Sequence, residues 1–221
     1  MKVVKVSIVG AILAAMILPV VGQNSADPVK DESPAAAPAP VPVAAPAVKP
    51  GMKVTLPLIV YANGGEEGEP VFVPSGWMGA TDAIESDDSW TENPHSGESC
   101  IKCVFSDPKG WGGIVWQNPA NNWGEDDGGV DLTGAKKLSF WVRGDRGGEV
   151  VEIKAGLISK NKPFWDTAKI SFGKIKLTKA WKQYEMPLQG RDMSRIITGF
   201  CWTAKGLPEP VTFYLDDIIY E

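Results

Sequence analysis

Apolar and polar residues alternate with a period of two in several short stretches of the chain. In residues 137–143 (KLSFWVR), Leu138, Phe140 and Val142 fall on one face, and Ser139, Trp141 and Arg143 on the other. Residues 151–155 (VEIKA) alternate in the same way, and so do residues 212–219, where Phe213 and Leu215 oppose Tyr214 and Asp216. A period of two with one apolar face predicts half-buried strands, because successive side chains of a strand point to opposite faces of the sheet. Glycine pairs at 112–113, 128–129 and 147–148 punctuate these stretches. Asp145-Arg146-Gly147-Gly148 lies between two of the strands and suits a hairpin turn. No helical period persists beyond about two turns. The pattern predicts an all-β fold over residues 55–221, an antiparallel β-sandwich of the jelly-roll kind. Leu138, Phe140, Val142, Ile153, Phe213 and Leu215 are expected between its sheets.

The first 54 residues follow other rules. Lys2 and Lys5 precede an apolar run from Val6 to Val21, the layout of a secretory signal peptide over residues 1–22. The run contains Ser7, Gly10 and Pro19 and is shorter than the roughly 20 apolar residues of a spanning helix. The alternatives are cleavage after Gly22, with no membrane insertion thereafter, and an uncleaved anchor. Either one places the rest of the chain outside the cytoplasm: secreted, periplasmic or on the cell surface. Residues 23–54 are a linker, and 33–50 read SPAAAPAPVPVAAPAVKP. Prolines this dense block helix and sheet hydrogen bonding and favour an extended, semi-rigid spacer.

Charge narrows the partners. The chain has 22 basic and 27 acidic residues. Four of the former and three of the latter lie in the first 50, so the remainder is net −6. A negative domain repels nucleic acid and anionic lipid. His95 is the single histidine, which leaves little from which to build a histidine metal site or a Ser-His-Asp triad. No G-x-S-x-G, H-E-x-x-H or P-loop motif occurs. A retaining glycosidase needs two carboxylates about 5 Å apart; the nearest in sequence, Glu149 and Glu152, are three apart and so fall on opposite strand faces.

Three blocks carry a family resemblance. Residues 213–218 (FYLDDI) resemble the closing strand of carbohydrate-binding modules with the galactose-binding-domain-like jelly roll. Residues 95–102 (HSGESCIK) resemble a strand near the N-terminal side of those modules, and residues 131–141 (DLTGAKKLSFW) their middle strand. The resemblance implies the same jelly roll and a carbohydrate ligand. It also implies a structural calcium held at Asp216 with loop carbonyls, although this chain has Tyr61-Ala62-Asn63 where the family has an acidic opening. It places Ile101 and Cys103 inward and Cys100 outward. Cys100, Cys103 and Cys201 are an odd set, and buried free thiols are expected rather than a Cys103–Cys201 bridge.

Tryptophan supplies the candidate binding chemistry. There are nine in the chain. Sugar rings pack their C–H faces on aromatic planes, while amides and guanidinium groups read the hydroxyls. Residues 111–123 (WGGIVWQNPANNW) interleave Trp111, Trp116 and Trp123 with Asn121 and Asn122, and Trp141 and Arg143 face away from the apolar stripe of their strand. The acidic turn Glu125-Asp126-Asp127 lacks calcium-loop spacing and reads as solvated. The expectation is a monomeric, non-catalytic module that binds a neutral polysaccharide through these seven residues. The alternative is a structural or protein-interaction domain of the envelope in which the tryptophans fill the core.

Overall fold

A computed structural model describes residues 49–62 and 70–221. The expected signal peptide, the linker as far as residue 48, and Asn63 lie outside the described residues. The described residues belong to one unit, Ala45–Glu221. Its strands are β1 (Met52–Lys53), β2 (Leu58–Tyr61), β3 (Val73–Gly79), β4 (Ile84–Trp90), β5 (Cys100–Phe105), β6 (Trp111–Gln117), β7 (Val130–Asp131), β8 (Lys137–Gly144), β9 (Val150–Ala155), β10 (Ile170–Lys176), β11 (Lys182–Pro187), β12 (Thr198–Lys205) and β13 (Val211–Tyr220). One 3-10 turn, Thr81–Ala83, is the only helical element among the described residues.

The strands form two antiparallel sheets. One has the order β10-β9-β12-β6-β3. The other has the order β11-β8-β13-β5-β4, and β2 pairs with the last residues of β13. Strand β13 therefore lies between β8 on one side and β5, then β2, on the other, with an irregularity at Asp216 where the partner changes. The expected inward residues Leu138, Phe140, Val142, Ile153, Phe213 and Leu215 are all buried between the sheets. Edge-to-face rings tie the two layers: Phe140 to Phe200 at 5.5 Å and Trp202 to Phe213 at 5.1 Å. Each such ring buries on the order of 150–250 Å², so this aromatic layer is a main source of the sandwich's stability.

Two boundaries differ from the sequence reading. Pairing starts at Met52, inside the stretch read as linker, because Met52–Lys53 adds in parallel to Val130–Asp131. Residues 145–149 do not close a hairpin, since β8 and β9 belong to different sheets. The segment crosses between the layers. Gly147 and Gly148 take positive φ of 80° and 99°, and the Arg146 amide donates to the buried Glu149 carboxylate at 2.7 Å. Alternation identifies a strand, but a short turn leaves open whether the next strand pairs beside it or stacks above it.

The sandwich has two poles. Trp111, Lys205 and Val150 mark one and Gln117 and Thr198 the other, as the register of β6, β12 and β9 requires. The chain enters at the Gln117 pole: the Gly51 amide donates to the Ser194 carbonyl and the Met52 amide to the Gly129 carbonyl, both at 2.8 Å. It also leaves there, where the Tyr220 hydroxyl donates to the Gly199 carbonyl at 2.6 Å.

Candidate functional site

Strand β6 divides the tryptophans of residues 111–123. Ile114 and Trp116 point inward, and Trp116 is packed edge-to-face on Phe200 at 5.6 Å. Trp116 is thus a core residue, a correction to its expected place in a binding surface. Trp111 lies five positions earlier, an odd spacing, and so faces out; it is 48% exposed.

Beyond Gln117 the chain folds back over the outer face of the five-stranded sheet. Asn122 is buried and donates to the Asp126 carbonyl at 2.9 Å while accepting from the Gly124 amide at 2.8 Å. The Gln117 side chain, also buried, donates to the Asn122 carbonyl at 2.8 Å and accepts from Ser75. Asn122 therefore holds this loop's shape and is not open to a ligand, a second correction. Trp123 is half-buried over Gly76, so close that a Cβ there would stand 3.0 Å from its ring. Asn121 is exposed at a φ of 59°. Asn121 lies beyond Gln117, six strand residues or roughly 20 Å from Trp111, and the Trp123 ring lies over Gly76, opposite Val115, about four strand residues away. The structure does not bring the expected set together.

Trp141 and Arg143 lie on the other sheet. Residues 91–99 fold across that outer face. The His95 ring stacks on Trp141 at 3.7 Å, and Trp181 donates to the Asn93 carbonyl at 3.1 Å. Arg143 is only 9% exposed; its guanidinium covers Tyr214 at 3.6 Å and donates to the Glu92 carbonyl at 3.4 Å. Both residues face outward as expected, but they stack within the protein beneath this loop.

Asp216 anchors the same loop. One of its oxygens accepts the His95 and Ser96 amides at 2.9 and 3.2 Å, and the other accepts the Asp217 amide at 2.9 Å. Burial pushes the Asp216 carboxyl above the usual carboxylate range. Among the described residues no three His, Cys, Asp or Glu converge to hold an ion. Oxygens aimed at N–H donors fit a loop anchor and do not make the oxygen cage that calcium takes.

The three thiols are free and buried. Cys103 points into the core and Cys201 faces out of the opposite sheet, so the two diverge. Cys100 is directed outward as expected and is covered by the 91–99 loop.

An open cleft lies on the five-stranded sheet, at the Trp111 pole. It measures about 330 Å³ and is lined by Trp111, Val150, Glu152, Lys174, Lys205 and Leu207, with Thr203 on its floor. Val150 and Leu207 are 39% and 42% exposed, beside the Trp111 ring. Gly113, next outward from Trp111, lets β6 and β12 lie close together, since a Cβ there would stand 2.2 Å from the Trp202 carbonyl oxygen. Glu152 pairs with Lys154 at 3.0 Å. Such a surface can stack a ring and hydrogen-bond its edge. Glu149, by contrast, is buried under the sheet crossover, so it and Glu152 do not form a pair in an open cleft. Sequence reasoning singled out Trp111 and missed the rest of the cleft. The available signal was parity: Val150, Glu152 and Lys154, like Lys174 and Lys176, are alternate residues of their strands and share the outer face.

No family model matches the chain, and no curated protein does. In fold it is similar to solved carbohydrate-binding modules. The family 30 module of a cellulosomal cellulase of Clostridium thermocellum is 17% identical over 76% of this chain and 98% of that one, with a TM-score of 0.47. The family 11 module from Clostridium thermocellum, in complex with a β-1,3-1,4-mixed-linked tetrasaccharide, is 13% identical over 70% of this chain and 90% of that one, with a TM-score of 0.47. A family 29 module variant complexed with mannohexaose is 8% identical, covering 73% and 88%, with a TM-score of 0.42.

Proposed function

We propose that this domain is a non-catalytic carbohydrate-binding module that holds a polysaccharide in the cleft on the outer face of its five-stranded sheet. The observation that carries the reading is Trp111: a large ring nearly half exposed, at the mouth of an open groove, with apolar neighbours and polar side chains around it. An exposed tryptophan loses contact with water when a sugar ring covers it, at roughly 25 cal/mol per Å² of apolar surface. Thr203, Glu152 and the lysines supply hydrogen bonds to hydroxyls. A site with one ring platform supports affinities in the micromolar to millimolar range, roughly −4 to −8 kcal/mol. Export through the signal peptide of residues 1–22, presentation on the Pro/Ala-rich linker and a monomeric state belong to the same reading.

The test is affinity gel electrophoresis of the full chain against a panel of soluble polysaccharides. Retention of the wild type and its loss in Trp111→Ala, at an unchanged melting temperature, is the expected outcome. Absence of retention on every polysaccharide overturns the proposal.

A further inference from the structure

We infer that the cleft takes an acidic polysaccharide, one whose rings bear carboxylate or sulfate groups; this rests on the reading of the cleft as a glycan site. The net charge of −6 beyond residue 50 favoured a neutral chain. The charge on this one face runs the other way. Lys174 pairs across from Glu152 and Lys176 from Val150 in the β9–β10 register, so both share the outward face of those residues. Lys205 lies directly opposite Trp111 in the β6–β12 register. Lys154 makes a fourth cation, and Glu152 is the only carboxylate at the outward positions of the five strands, already paired with Lys154 at 3.0 Å. Lys174, Lys176 and Lys205 are exposed, and among the described residues none of them has a carboxylate within ion-pair distance.

Their spacing suits a chain laid across the strands. Outward neighbours on one strand stand about 7 Å apart and adjacent strands about 5 Å apart. From Trp111 the cleft passes Lys205, then Thr203 and Val150, and ends at Lys174 on β10, with Lys176 two residues further along that strand, opposite Val150. A ring stacked on Trp111 has a cation beside it, and a ring further along the chain meets two more. Cations lining a low-dielectric groove focus the field there, so the groove attracts anions although the molecule as a whole is negative. Lysines are point charges and do not separate carboxylate from sulfate by geometry, so the chemistry recognised is a repeating anion on a sugar backbone.

Four soluble polymers separate the possibilities: polygalacturonate, the same polymer after reduction of its carboxyl groups to alcohols, a sulfated galactan, and polyphosphate as an anion without sugar. The expected result is retention of the full chain by polygalacturonate or the sulfated galactan, at least tenfold weaker on the carboxyl-reduced polymer. Raising the salt from about 0.05 M to about 0.5 M should weaken it by a similar factor, because exposed charges are screened. Lys174→Gln/Lys176→Gln/Lys205→Gln should lose retention by the acidic polymers at an unchanged melting temperature, and Trp111→Ala should lose it as well. Equal, salt-independent retention by the reduced polymer overturns this inference and leaves the glycan-binding reading intact. Retention by polyphosphate as strong as by the acidic glycans overturns it in favour of simple ion exchange. No retention on any sugar polymer overturns both.

Discussion

Asp166 accepts four hydrogen bonds, from the Ile158, Ile197 and Thr198 amides and from the Thr198 hydroxyl, while almost wholly buried. Burial pushes its carboxyl above the ordinary carboxylate range, and the four donors pull the other way. A group whose folded-state pKa is raised binds its proton more tightly in the fold. Its contribution is therefore full below the ordinary carboxylate value near 3.9 and is lost as pH rises through the higher folded one. Urea midpoints measured across that interval should fall with rising pH, and Asp166→Asn should flatten the fall. Removing the group leaves three buried amides without an acceptor, so Asp166→Ala should cost about 3–5 kcal/mol in urea unfolding. The thiols make a second prediction at this scale. Burial pushes Cys100 to about 11 and Cys201 to about 12, and raises Cys103 as well. A thiolate-selective reagent at pH 8 should titrate none of them in the native protein and three after unfolding. At Trp111 and Trp116 parity was legible in the sequence, since residues five apart on a strand must face opposite ways. Composition alone grouped them, and the register separates them.

At the scale of elements, alternation revealed β8, β9 and β13 because each has one clean apolar face. It did not reveal β4, whose six residues after Ile84 are exposed or half-buried, or β11, an edge strand with no fully buried residue. Edge strands are wetted on more sides, so burial imposes less pattern on them. The cover over each outer face was also illegible: nothing local in residues 91–99 shows that His95 will lie on Trp141. The two tryptophans with interior roles should answer to stability rather than to ligand. Trp116→Ala should lose about 3–5 kcal/mol, as large-to-small core changes do. Trp141→Ala should lose less, since Trp141 is covered by a loop, and polysaccharide retention should be unchanged where the variant folds. A Trp141→Ala protein with native melting but no retention would move the site to the other sheet.

At the scale of the molecule, the class of fold followed from strand period and turn spacing, while the site depended on which strand came to lie beside which. Val150, Lys174, Lys205 and Trp111 sit on four strands separated by up to 94 positions in sequence, and only the pairing order β10-β9-β12-β6 assembles them. The same logic bears on calcium. Asp216 is already satisfied by three amides of its own chain, so the melting temperature should be indifferent to both a chelator and millimolar calcium. A ligand that binds only the folded state stabilises it by mass action, and a rise of several degrees with calcium would show that the loop opens to admit the ion.

The positions of the chain ends have a mechanical consequence. The chain enters beside Gly129 and leaves near Gly199, both at the pole away from the cleft. A tether pulling on Gly51 while a bound polymer holds the Trp111 end loads the sandwich lengthwise, along β6, β12 and β13. Hydrogen bonds between antiparallel strands lie perpendicular to the strands, so this force shears whole ladders at once rather than unzipping them one bond after another. A domain loaded in this way yields at its weakest ladder as a unit.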